Sequence, residues 1–165
     1  MRRWTPASAA PEADGLRMST TFPGGGHAIR RSAFLEVGGY CDELFFKHEE
    51  TDLSWRLLDH GWDIAYDDRC VIEHPATPEG RHPSALRVGA RNKVWIARMA
   101  LPVILIPPSV AITVVRYVGR CRRVAEIGQV SSGVRAGFTQ LPAKRAPMSW
   151  RTVWLLSKRG RPPIL

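Results

Sequence analysis

The chain is poor in cysteine, and nothing in the spacing of the few it has suggests that they work together. Cys41, Cys70 and Cys121 are odd in number, far apart and form no Cys-x-x-Cys pair. That excludes a disulfide framework and a zinc cluster of the usual spacing, and reads as reduced thiols of a cytosolic protein. The opening "MRRWTPASAAPEADG" lacks the continuous apolar stretch of a signal peptide. No export signal shows, and residues 1–20 read as a disordered leader. No internal repeat is visible. Acidic residues are nearly missing from the C-terminal part: residues 116–165 hold eleven Arg or Lys against Glu126 alone, whereas residues 1–115 hold thirteen basic and fourteen acidic side chains. The whole excess of +9 therefore sits in a basic tail, which suits nucleic acid or an anionic membrane surface. The tail also lacks RGG repeats, and Tyr117, Phe138, Trp150 and Trp154 are too sparse for a base-stacking platform, so no nucleic-acid partner is expected.

What is present is enough for one ordinary domain: 165 residues, of which 44% are hydrophobic. Ahead of the tail lies "VWIARMALPVILIPPSVAITVV", Val94 to Val115, whose only charge is Arg98. The seventeen uncharged residues from Met99 to Val115 are at the lower edge of a bilayer span, and Pro102, Pro107 and Pro108 interrupt them. Two readings stand. One is an interfacial or re-entrant helical hairpin broken at Pro107-Pro108, held with the basic tail on the cytoplasmic face of the cell membrane. The other is a buried helix pair of a soluble core.

The middle of the chain holds the candidate chemistry. "FPGGGHAIRRSAFLEVGG", Phe22 to Gly39, predicts a glycine loop at Gly24, Gly25 and Gly26, then a short helix from Arg31 to Val37 stopped by Gly38-Gly39. The loop has neither the Lys-Ser/Thr of a Walker motif nor a dinucleotide fingerprint, and on its own is a tight turn. In "FFKHEETDLSWRLLDHGW" the stripe Leu53, Leu57, Leu58 and the stop at Gly61 predict a helix from Glu49 to His60. Glu49, Glu50 and Asp52 fall in its first turn, where the helix dipole favours negative charge and Asp52 can pair with Arg56. "WDIAYDDRCVIEH" predicts a strand or hairpin ending at His74. His27 and His48 read as surface or loop histidines.

This order, a glycine loop, "AIRR", "VGGY", "DELFF", an acidic pair with "DLSWR", "GW", a strand and then a lone histidine, resembles the C-terminal, acceptor-binding half of the family 2 glycosyltransferases, in particular their rhamnosyl- and galactofuranosyltransferase-like members, over about Phe22 to Asn92. The resemblance implies an α/β chain. Residues 21–92 would be a partial GT-A fold, 93–118 a membrane-associated apolar segment and 119–165 the basic tail. It implies inverting transfer from a nucleotide-sugar donor to a glycan or lipid-linked acceptor in cell-envelope polysaccharide synthesis. Glu50 would stand at the position of the catalytic base, where the family more often has Asp, with Glu49 and Asp52 as neighbouring acids. Such a base takes the acceptor's proton, and a nearby acid raises its pKa toward a useful range. Gly25, Gly26, Arg30, Arg31 and Trp55 would line the acceptor side, although core packing is the commoner role for Trp55 and Trp62. His74 would be a ligand of a divalent cation, Mn²⁺ or Mg²⁺, that neutralises the leaving diphosphate.

The chain departs from that family in one respect. It contains no Asp-x-Asp, and only 21 residues precede Phe22, too few for the strand-helix units of a donor-binding half. The expectation is a truncated or split enzyme, inactive alone, whose cation site needs a separate donor-binding chain. The alternative is a non-catalytic module that binds the membrane surface through its basic tail.

Overall fold

A computed structural model describes residues 16–73, 84–140 and 144–164. These residues are mixed, mostly helical with one small sheet, and the chain divides into two compact units. The first is built from Met1–Tyr40, Glu50–Gly80 and Ser149–Pro162; the second from Cys41–Glu49, Arg81–Met148 and Pro163–Leu165.

In the first unit, strand β1 (Leu16–Ser19) pairs antiparallel with β2 (Ile64–Asp67), Leu16 opposite Asp67 and Ser19 opposite Ile64. Residues 16–19 were expected in the leader and are instead a strand. Their partner lies about fifty positions along the chain, which no local pattern reveals. Helix α1 (Arg31–Glu36) ends as its glycines predict: Gly38 and Gly39 take φ of 79° and 71°, conformations that cost a side-chain-bearing residue free energy. Helix α2 (Glu49–Asp59) is likewise followed by Gly61 at φ 88°. Ala33 and Val37 pack on Leu53 and Leu57, with Phe22, Ile29, Phe34 and Trp62 around them. Each large side chain so buried contributes about 1.5–3 kcal/mol. Helix α6 (Trp150–Lys158) closes this unit. Asp59 Oδ1 accepts from Ser149 N at 2.9 Å, Ser149 Oγ at 2.7 Å and Thr152 Oγ1 at 2.6 Å. Burial pushes the Asp59 carboxyl up, but these hydrogen bonds and neighbouring His60 outweigh it and hold the carboxyl below its ordinary range.

The second unit is helical. Helix α3 (Ala85–Ala100) lies against α5 (Val124–Thr139) along Gly133 and Gly137. A Cβ on Gly137 would sit 2.5 Å from Val94 Cβ, and one on Gly133 would overlap the Arg87 carbonyl oxygen. Glycine alone permits that approach. Arg98, the lone charge of the apolar run, does not face lipid: it donates to the Gly137 and Phe138 carbonyls at 2.7 and 3.0 Å, at the C-terminal end of α5 where cations are favoured. Arg145 does the same for α3, reaching the carbonyls of Arg98 and Leu101.

The break in the apolar run is not at Pro107-Pro108. Helix α3 ends before Leu101-Pro102, a 3-10 turn covers Val103–Leu105, and α4 (Ile106–Val118) carries both prolines in its first turn. There the missing N–H would have no intrahelical partner and the fixed φ suits the helix, so the pair starts a helix instead of breaking one. Val94, Trp95, Ile96 and Leu101 are buried within this unit. Among the described residues no helix is long and apolar enough to cross a membrane. Residues 119–165, expected as a tail, contain α5 and α6.

Candidate active site

The glycine loop and the acidic turn of α2 meet. Gly24 lies so close to Glu50 that a Cβ there would overlap Oε1 and stand 3.2 Å from Cδ. Glu50 is half-buried and Gly24 and Gly25 are exposed, so the carboxylate borders an open loop of bare backbone. Gly26 packs on Ile72, beyond β2. The loop is braced by exposed His27, whose ring lies against Phe22 at 4.6 Å, with Nδ1 at 3.0 Å from the Pro23 carbonyl and Nε2 at 3.1 Å from Tyr40 Oη. His27 thus has a structural task that its isolated appearance in the sequence does not disclose.

The three acids of the turn separate by environment. Asp52 is 2% exposed and receives Arg56 Nε at 2.9 Å and Nη2 at 2.5 Å, while Arg56 Nη1 donates to the Val37 carbonyl. It is therefore a structural ion pair that ties α2 to the end of α1, and its carboxylate is not presented to a substrate. Glu49 has Oε2 buried without a hydrogen-bond partner among the described residues, an arrangement with a cost. Glu50 alone of the three faces the glycine loop.

Trp55, expected to line the acceptor side, is buried and belongs to the core; a stacking ring needs an open face, which this one does not have. Arg30 is exposed with its guanidinium 5.8 Å from the Trp62 ring centre, and Arg31 is exposed on the first turn of α1. Trp62 in turn donates from Nε1 to Glu36 at 3.0 Å. A shallow hollow lined by Trp62, Asp63, Arg151, Trp154 and Arg159 lies at the other end of α2. At 1.5 Å per residue it is roughly 12 Å along the helix from Glu50.

His74 lies outside the described residues. Among those described, no group of three or more His, Cys, Asp or Glu side chains comes together. With Asp52 committed to Arg56, the acids of this turn do not fit a divalent-cation site, which needs several oxygens around one point.

The second unit holds the residue that sequence reasoning missed. Phe46, Lys47 and His48, immediately before Glu49, have φ of 64°, 85° and 70°, three consecutive left-handed residues without a glycine. Each such residue is strained. Asn92 compensates: Nδ2 donates to the carbonyls of Leu44, Phe46 and Lys47 at 3.2, 3.3 and 2.8 Å, and Arg91 Nε holds its Oδ1 at 3.0 Å. His48 Nε2 is 2.9 Å from Tyr117 Oη, and Tyr117 fits only because Gly89 has no side chain. Desolvation first, then the charges of Lys93, Lys47 and Arg120, push the imidazole pKa down to about 3. His48, read as a surface or loop histidine, does stand in the loop before α2 but is half-buried, where the neutral ring is favoured.

The class of protein this chain is related to, over part of its length, is the glycosyltransferases. It is 35% identical to the N-acetylglucosaminyl-diphospho-decaprenol L-rhamnosyltransferase of Mycobacterium tuberculosis over 69 residues, 41% of this chain and 22% of that protein. It is 33% identical to the pre-mycofactocin glycosyltransferase of the same organism over 78 residues, 47% of this chain and 14% of that protein. The similarity thus spans less than a quarter of either relative. No family model and no solved structure matches.

Proposed function

We propose that this chain carries the acceptor-side part of an inverting glycosyltransferase of the GT-A type, with Glu50 as its base. The observation that carries the reading is the closeness of Gly24 to the Glu50 carboxylate. Two motifs that are twenty-six residues apart, and uninformative singly, form one exposed surface with a carboxylate at its edge. In the reaction, Glu50 takes the proton of an acceptor hydroxyl as that oxygen bonds to the anomeric carbon. The bond from that carbon to the nucleoside diphosphate breaks, with inversion. Exposed Gly25 leaves room for a sugar to approach the backbone closely, and Arg30 and Arg31 add positive charge on the adjoining turn. The names of the relatives support a nucleotide-sugar donor and a glycan or lipid-linked acceptor. Donor and cation need groups beyond the described residues, His74 being one candidate.

The test is reconstitution. Joined to, or mixed with, the donor-binding half of the rhamnosyltransferase relative, the chain is expected to transfer sugar. Glu50→Gln is then expected to reduce kcat by at least on the order of 100-fold, while donor binding stays intact. Gly24→Ala displaces only the flexible end of Glu50 and should leave thermal stability nearly unchanged, yet lower kcat roughly tenfold by misplacing the base. Full activity of Glu50→Gln would overturn the assignment.

A further inference from the structure

Helix α4 is built the wrong way round for a helix exposed to water. The positions it buries are Ser109 and Thr113, four residues apart, while none of its large aliphatic side chains is buried and Val115 points outward. Val103, Ile104 and Val115 are 71%, 73% and 71% exposed, and Pro108, Ala111 and Val115 form a stripe at i, i+3 and i+7. Inside the same unit, helices approach through Gly89, Gly133 and Gly137, so that small residues make the packing seam. Small residues inward and aliphatic ones outward is the arrangement of helices whose outer neighbour is lipid. At the C-terminal end of the stripe stand Arg116, Arg120, Arg122 and Arg123, all exposed. The one acid nearby, Glu126, is spent on the backbone N–H of Arg122 at 2.7 Å.

We infer that the turn Val103–Leu105 and the outer face of α4 lie in the interfacial zone of an anionic lipid bilayer, with the four arginines on headgroup phosphates. This goes beyond the catalytic reading and does not depend on it. It also narrows the membrane segment expected from sequence. Val94 to Leu101 are packed inside the unit, and the lipid-facing part begins at Val103. Charge chooses lipid over a protein partner. One bilayer surface presents phosphate and hydrocarbon in the same plane, whereas a protein would have to match an aliphatic stripe and four cations together. The stripe holds only aliphatic side chains and proline, without the Trp and Tyr that anchor protein interfaces.

Flotation of the full-length chain with equimolar phosphatidylcholine–phosphatidylglycerol vesicles, against pure phosphatidylcholine, tests this. Binding is expected to the first and to fall steeply with added salt. Replacing Arg116, Arg120, Arg122 and Arg123 by Gln should weaken it by roughly 600-fold, at roughly fivefold per arginine. Val103→Glu with Ile104→Glu should weaken it at least roughly tenfold on the same vesicles. These side chains are exposed, and circular dichroism should show both variants folded. Equal binding of wild type and variants would overturn the inference. So would a dimer in ultracentrifugation that Ile104→Glu dissolves while vesicles bind nothing, since the face would then be occupied by a second copy.

Discussion

At the scale of single residues, His48 makes a prediction whose sign follows from its surroundings. Its pKa in the folded chain is about 3, below the 6.5 of an unconstrained imidazole. The unfolded chain therefore binds a proton that the folded one does not throughout that interval. Stability contributed by neutral His48 is fully present above pH 6.5 and is lost as pH falls toward 3. The loss is on the order of 3 kcal/mol, discounted because part of the ring meets solvent. Urea unfolding measured between neutral pH and pH 4 should show this decline, and His48→Asn should flatten it. A His48 imidazole resonance that titrates near pH 6.5 in the folded protein would contradict the burial described. The same residue shows where sequence reading stops. Its partners Tyr117 and Lys93 are distant in the chain, so nothing near position 48 distinguishes it from a surface histidine.

At the scale of elements, α5 contains its own control. Gly133 and Gly137 are pressed against the backbone or Cβ atoms of α3, while Gly128 has open space around the position of a Cβ. Gly137→Ala should lower stability by about 1–3 kcal/mol, because Val94 and the Arg91 carbonyl cannot move aside cheaply. Gly128→Ala should raise it by about 0.5–1 kcal/mol, since alanine favours helix and restricts the unfolded chain. Thermal unfolding of the two variants distinguishes them, and equal effects would mean that α3 and α5 do not pack as described. Helix ends were the most legible feature of the sequence. Gly38, Gly39 and Gly61 announce themselves because the requirement for positive φ is local, and so α1 and α2 follow their predicted limits within a residue or so. β1 was not legible, since a strand of four residues is defined by a partner elsewhere. Nor was the role of Pro107-Pro108, because the same dipeptide ends a helix or begins one according to what lies beside it. In the site, the acidic turn and glycine loop could be read, but the division of labour between Glu49 and Glu50 could not. The Asp52–Arg56 pair is local and could be read, but what separates Glu50 from Glu49 is the approach of Gly24, which is distant in the chain.

At the scale of the whole molecule, the described residues offer a carboxylate beside an open loop but no cluster for a divalent cation. The isolated chain is therefore expected to show no calorimetric binding of a nucleotide sugar with Mn²⁺ or Mg²⁺ at the affinities usual for such enzymes. Saturable, metal-dependent binding by the chain alone would refute that, and would locate the missing ligands in this chain, at His74 and residues near it. Addition of a donor-binding half should restore binding, which separates a failure of the metal argument from a failure of the Glu50 assignment.

The way α6 completes the first unit also bears on the order in which the chain can fold. Asp59 is made early by the ribosome, yet the hydroxyls and N–H that satisfy it belong to Ser149 and Thr152, some ninety residues later. Arg159, later still, reaches back to the Ser19 carbonyl and Asp63. A nascent chain halted before residue 149 has the strands and α1–α2 but none of the groups that seal them. Helices α3, α4 and α5, joined by short connections, need no such wait, since local contacts close fastest. Synthesis and folding thus run in opposite senses here: the unit that begins first waits for a helix made after α3, α4 and α5, and its N-terminal part must stay soluble until α6 emerges.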